Sequence, residues 1–186
     1  MVKKYPWLQP KIHWYTGRIK HNWQKDWDST WLDDLPKGWR KAWGNLICED
    51  IHNVLKRTNQ INDYTIVQIK SKYGSLRWYD NGDKTGEVQD IIRKYEHISS
   101  RTCEKCGKFP APVINNGWIT CLCEDCFKKI YKRSEPEAYQ KFIVEDSDFD
   151  PISRWKRSHK MESGEYIDEI IEYDTSDIIQ RMMQKK

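Results

Sequence analysis

The chain has 186 residues, with 32 Lys and Arg against 28 Asp and Glu, and a formal net charge of +4. That length suits one medium domain or two very small ones, and it is enough to bury a core. With 38% hydrophobic and 32% charged residues, no apolar run approaches the roughly twenty residues of a membrane-spanning helix.

The opening Met1-Val2-Lys3-Lys4-Tyr5-Pro6-Trp7 lacks the apolar stretch of a secretory signal, so a cytoplasmic protein is expected. In that compartment six cysteines point to metal ligands or free thiols rather than disulfides. Residues 1–60 carry 11 basic and 6 acidic groups, 61–133 carry 13 and 9, and 134–186 carry 8 and 13. So even a balance gives no ground, from charge alone, for nucleic-acid binding.

Seven of the ten Trp precede residue 44: Trp7, Trp14, Trp23, Trp27, Trp31, Trp39 and Trp43. Residues 1–35 read as an irregular arm ordered by these indoles, either packed on the core or presented to a partner. A core of helix, hairpin and helix is expected over 36–100. Pro36 opens a helix to about Thr58, with Asp33 and Asp34 ahead of it. Trp39, Trp43, Leu46, Ile47, Ile51, Val54 and Leu55 give that helix one apolar stripe, and Cys48 beside the stripe reads as a small buried hydrophobe. Tyr64–Lys70 and Leu76–Tyr79 read as paired strands. A second helix is predicted from Gly86 to Ser99, with Val88, Ile91, Ile92, Tyr95 and Ile98 inward.

The most specific pattern lies in 101–133. Cys103-Glu104-Lys105-Cys106-Gly107 is one C-x-x-C-G knuckle, and Cys123-Glu124-Asp125-Cys126 is a second C-x-x-C, 16 residues on. Two thiolates in so tight a turn can hold one ion, and two such pairs make a four-cysteine zinc site of ordinary spacing. Pro110–Thr120 can fold as a hairpin about Asn115-Asn116-Gly117, which carries the second knuckle to the first. A helix then starts at Asp125, in the order of a treble clef or zinc ribbon. Four thiolates leave no open position, so the expected zinc is structural. Cys121, two residues before Cys123, is a competing ligand that spacing alone does not exclude.

Residues 134–186 read as an acidic helical region, with 146–151 as a linker. A helix is predicted over Gly164–Asp174 and another from Thr175 onward. On the first, Glu165, Asp168, Glu169 and Glu172 share one face and Ile167, Ile170 and Ile171 the other. That acidic face suits a basic channel on a partner, or simply solvent. The expected fold class is α+β, in one compact unit. The five His are scattered as His13, His21, His52, His97 and His159, and neither a phosphate loop nor a nucleophile elbow is present, so no enzyme is expected. Lys128, Lys129, Lys132 and Arg133 form a basic run that suits a nucleic-acid-binding zinc regulator, or only a helix end.

The run Ile69-Lys70-Ser71-Lys72-Tyr73-Gly74-Ser75-Leu76-Arg77-Trp78-Tyr79 resembles a hairpin found in small bacteriophage and prophage zinc-binding proteins. There it precedes a helix, a C-x-x-C-G knuckle and a G-W-x-x-x-L-C-x-x-C segment, here Gly117-Trp118-Ile119-Thr120-Cys121-Leu122-Cys123-Glu124-Asp125-Cys126. That resemblance implies Cys103, Cys106, Cys123 and Cys126 as the ligands. The whole chain is similar to the streptococcal phage anti-CRISPR proteins that inhibit the type II RNA-guided effector nuclease. This likeness implies a monomer in the host bacterial cytoplasm that inhibits by direct protein binding, with zinc holding the fold.

Overall fold

The computed structural model describes residues 4–9, 30–132 and 136–184. Trp14, Trp23 and Trp27 of the predicted arm lie outside them. The arm residues that are described make two short 3-10 turns, Pro6–Leu8 and Trp31–Asp34. Tyr5, Trp7, Leu8, Trp31 and Leu32 are all buried in the main core.

The expected long helix runs from a turn at Lys37–Trp39 through a π-helical segment at Arg40–Gly44 into α1 (Asn45–Arg57). Pro36 is the residue before the first turn, where its missing N–H costs nothing. Asp33 reaches forward to pair with Arg40 at 2.7 Å. The π-helical segment, a local widening of the helix, is not visible in the periodicity. It lies where Trp39 and Trp43 both turn inward, with ring centroids 5.5 Å apart and exposures of 0% and 1%.

The hairpin of β1 (Thr65–Lys72) and β2 (Ser75–Asn81) is antiparallel, with Ile69 opposite Trp78 and Lys70 opposite Arg77. Its two-residue turn is Tyr73-Gly74, both left-handed with φ of +55° and +72°, as a type I′ turn requires. Ile66, Ile69, Leu76 and Trp78 face the core. The next helix, α2 (Glu87–Ser99), starts beneath Asp83, whose carboxylate accepts the Gly86 and Gln89 N–H groups at 3.1 Å each. It packs against β2 and α1, closing a core that includes Leu46, Ile47, Ile51, Leu55, Val88, Ile92 and Ile98.

A second, smaller core follows. β3 (Val113–Asn115) and β4 (Ile119–Cys121) form a hairpin, α3 (Glu124–Tyr131) and α4 (Pro136–Gln140) come next, and β5 (Ile143–Glu145) returns beside β3. Phe127 sits at its centre with Tyr131, Tyr139 and Phe142 around it. α4 ends at Gln140, because Ile143 pairs with Ile114 as a strand.

The acidic stretch expected to be a linker is docked. Phe149 packs at a tilt on His97 and edge-on to Phe109, and His97 Nε2–H donates to the Asp150 carbonyl at 2.7 Å.

The predicted helix over Gly164–Asp174 is a strand. β6 (Ile152–Lys160) and β7 (Tyr166–Asp174) pair antiparallel from Ile152–Asp174 to Lys160–Tyr166, around a turn with Gly164 at φ +88°. Three Ile and two Tyr in nine residues favour extended backbone, and β6 supplies a partner of opposite charge. Consequently the predicted acidic face does not form. Asp168 and Glu172 project to one side of β7 and Glu169 to the other, while Glu165 lies in the turn. The final helix, α5 (Ser176–Gln184), begins as expected and buries Ile178 and Met182 in the main core. Thr175 Oγ1 donates to the Pro151 carbonyl at 2.8 Å.

Candidate metal centre

Cys103, Cys106, Cys123 and Cys126 converge, with all four sulfurs within 4.8 Å of one another. The Cys106 and Cys123 sulfurs lie 3.6 Å apart. A tetrahedral thiolate shell with metal–sulfur bonds of about 2.3 Å has sulfurs about 3.8 Å apart. The cluster therefore fits a metal ion as it stands.

Local chemistry builds each half. In the first knuckle the Gly107 N–H donates to the Cys103 carbonyl and the Cys103 N–H to the Lys108 carbonyl, both at 2.9 Å. Gly107 has φ +82°, and a Cβ there would stand 2.6 Å from the Gly38 carbonyl oxygen. Glycine is needed on both counts. In the second half the expected hairpin forms, with Gly117 at φ +81° and its N–H on Asn115 Oδ1 at 3.2 Å. β4 hands the chain to Cys123, which is the N-cap of α3, and places Cys126 in that helix's first turn. A helix N-terminus favours the thiolate form at both positions.

Burial is uneven: Cys103 and Cys123 are buried, Cys126 partly so, and Cys106 is exposed. Burial acts against the Cys106 thiolate, but the Lys108 N–H and the neighbouring thiols outweigh it and hold that thiol below its usual value. Burial, then the Cys103 charge, pushes Cys123 up to about 11. Burial raises Cys126 as well. Loading the site must therefore displace protons, and only a strongly binding cation does so at neutral pH.

Cys121 is not part of the cluster. Its side chain is buried against β3, with the S–H donating to the Ala111 carbonyl at 3.3 Å, and burial raises its thiol strongly. Cys48 sits in the main core, where burial pushes it up to about 12.

Two supporting residues escaped the sequence reading. Glu104, inside the first knuckle, accepts the Ser71 hydroxyl at 3.2 Å and the Cys121 N–H at 3.4 Å through its carboxylate. Its backbone N–H donates to the Cys121 carbonyl at 2.9 Å and its carbonyl accepts the Gly38 N–H at 2.8 Å. Gly38 fits so tightly that a Cβ there would lie 2.2 Å from the Cys103 carbonyl oxygen. An acid between two cysteines, and a glycine two residues after a proline, carry no local sign of these long-range contacts.

The other predicted site residues do not gather. Asp168 lies 2.6 Å from Lys156 Nζ, Glu172 2.7 Å from Arg154 Nε and Glu169 3.2 Å from His159 Nε2. In the basic run Lys128 pairs with Glu124 at 2.8 Å, Lys132 ends α3 in a left-handed conformation, and Arg133 lies outside the described residues. No family model, curated protein or solved structure matches this chain.

Proposed function

We propose that the chain is a phage anti-CRISPR protein with a structural zinc, which binds the type II RNA-guided effector nuclease directly and prevents target-DNA loading and cleavage. The zinc rests on the donor set. Four thiolates are soft ligands, they fill a tetrahedral shell, and they leave no position for water or substrate. Zinc held in this way contributes folding free energy and no catalytic step.

Inhibition by direct binding rests on the whole-chain resemblance to streptococcal phage inhibitors. The protein works as a monomer in the bacterial cytoplasm on this reading. The carboxylates of β7 enter the interface only where a partner's cations displace those of β6, since Asp168, Glu169 and Glu172 each already hold a cationic or histidine partner.

Titration of the guide-loaded nuclease with purified protein tests the proposal. Cleavage should stop near one inhibitor per nuclease, and a pull-down should recover both proteins. Inhibition at far fewer than one molecule per nuclease would mean turnover and end the binding reading. Elemental analysis should find one zinc per chain.

A further inference from the structure

The net charge hides a local concentration. Strand register places Gln68 opposite Tyr79, Lys70 opposite Arg77 and Lys72 opposite Ser75 on the face of the β1–β2 hairpin that points away from the core. Three cations thus share one small sheet face. Among the described residues no carboxylate lies within 4.0 Å of any of them. The nearby acids turn inward: Asp80 accepts from Tyr64 and Gln89 beneath the sheet, and Glu104 accepts from Ser71.

Aromatic rings stand beside the cations. Lys70 Nζ lies 5.6 Å from the Tyr79 ring and Lys72 Nζ 5.2 Å from the Tyr73 ring. Tyr79 is 46% exposed, Tyr73 62% and Trp118 74%. The β1–β2 turn abuts β4, where a Cβ on Gly74 would lie 3.3 Å from the Thr120 carbonyl carbon. Trp118 is two residues along the chain from that contact.

We propose that this face binds single-stranded nucleic acid, with phosphates on Lys70, Lys72 and Arg77 and unstacked bases on Tyr79 and Tyr73. Like charges directly opposite one another, as Lys70 and Arg77 are, cost stability in a bare sheet. A phosphate between them removes that cost. Exposed rings next to cations suit a strand whose bases are free to stack, whereas a duplex hides its base faces. The inference goes beyond nuclease inhibition and does not depend on it.

The test uses metal-loaded full-length protein and fluorescence polarisation with labelled oligo-dT and oligo-U of about twenty nucleotides, longer than the site of one small binding fold. A DNA duplex of equal length is the comparison. We expect single strands of one or both sugars to bind at low salt, about tenfold tighter than the duplex, and to weaken steeply as salt rises. Lys70→Gln with Lys72→Gln should abolish binding, while Lys128→Gln with Lys129→Gln should leave it intact. Tyr79→Ala should cost about tenfold. Tyr73→Asn, which suits the left-handed turn, should weaken binding without unfolding the hairpin.

Melting temperature and metal content verify that each variant is folded. Three outcomes overturn the proposal. The first is no binding of either strand. The second is equal binding of strand and duplex that ignores Tyr79→Ala, which is mere polyanion adsorption. In the third, the lysine variants lose nuclease inhibition although the parent binds no oligonucleotide, which makes the face a protein interface.

Discussion

Each of the four clustered thiols owes its place to a different backbone device: a turn, a glycine, an N-cap and a first helical turn. Cys103→Ala or Cys126→Ala should therefore release the metal and unfold the small core, read by elemental analysis and thermal melting. Cys121→Ala and Cys48→Ala should keep full metal content. Cys121→Ala should cost only about 1 kcal/mol, from one lost hydrogen bond and a small cavity.

His52 gives a pH-dependent counterpart. Burial, then Lys56 and Lys4, hold its imidazole below the ordinary 6.5. The ring packs edge-on to Tyr5, and its Nδ1 lies 3.5 Å from the Trp7 indole N–H, an arrangement that needs an unprotonated Nδ1. A histidine with a depressed folded value contributes fully above its unfolded value and loses that contribution as pH falls through the folded one. Acidification from about pH 7 to pH 5 should thus loosen the Tyr5–Leu8 segment, seen as faster exchange of the Leu8 amide. His52→Phe should flatten the response.

At the scale of elements, the contact between Gly38 and the first knuckle joins the long helix to the metal site. A methyl group at Gly38 would overlap the Cys103 carbonyl and displace the knuckle's backbone. Gly38→Ala should cost up to about 3 kcal/mol and speed metal loss to a chelator, although Gly38 is no ligand.

The β6–β7 hairpin calls for a different experiment. Its exposed cross-strand ion pairs add little stability, being screened by water, but reversing all four carboxylates to Lys would set like charges opposite Arg154 and beside Lys156. A charge swap, Arg154→Glu with Glu172→Arg and Lys156→Asp with Asp168→Lys, should keep the hairpin's amide protection. If the acids of β7 contact the nuclease, the swap should raise the inhibitory concentration about tenfold or more. Unchanged inhibition would place the interface elsewhere.

The misreading of this segment has a physical cause. Ile167, Ile170 and Ile171 satisfy helical spacing as well as a β-branched strand. The basic strand that decides between them, Arg154 to Lys160, is a separate stretch of chain whose pairing no local pattern displays.

Over the whole molecule, the two cores meet at the Gly38 junction, at the Trp39 indole N–H on the Thr102 carbonyl (2.7 Å), at the Ser71 hydroxyl on Glu104 (3.2 Å) and where the β1–β2 turn abuts β4, polar and backbone contacts rather than a broad shared apolar face. The small core buries few side chains around the four-cysteine cluster, whereas the main core holds more than twenty. Chelation should therefore split thermal unfolding into a low-temperature step for 101–145 and a later step for the main core, seen by calorimetry. A single transition, shifted as a unit, would mean tighter coupling than these contacts suggest. The C-terminal helix belongs to the main core, since Arg181 pairs with Asp50 at 2.8 Å and Tyr95 donates to Asp50 at 2.6 Å. Removing residues 175–186 should lower the second step and spare the metal.

Periodicity and spacing alone determined the long helix with its buried Trp39 and Trp43, the β1–β2 hairpin, α2, and which four cysteines converge. In each the information is local: an apolar stripe, a Tyr-Gly turn, or two cysteines three apart. Only the tertiary structure decided that Cys121 turns away from the cluster, that Glu104 and Gly38 brace it, and that β6 captures β7 as a strand. It also decided that three cations spread along β1 and β2 share one face. Those outcomes depend on groups far apart in the chain, so their energies exist only once the fold has brought the partners together.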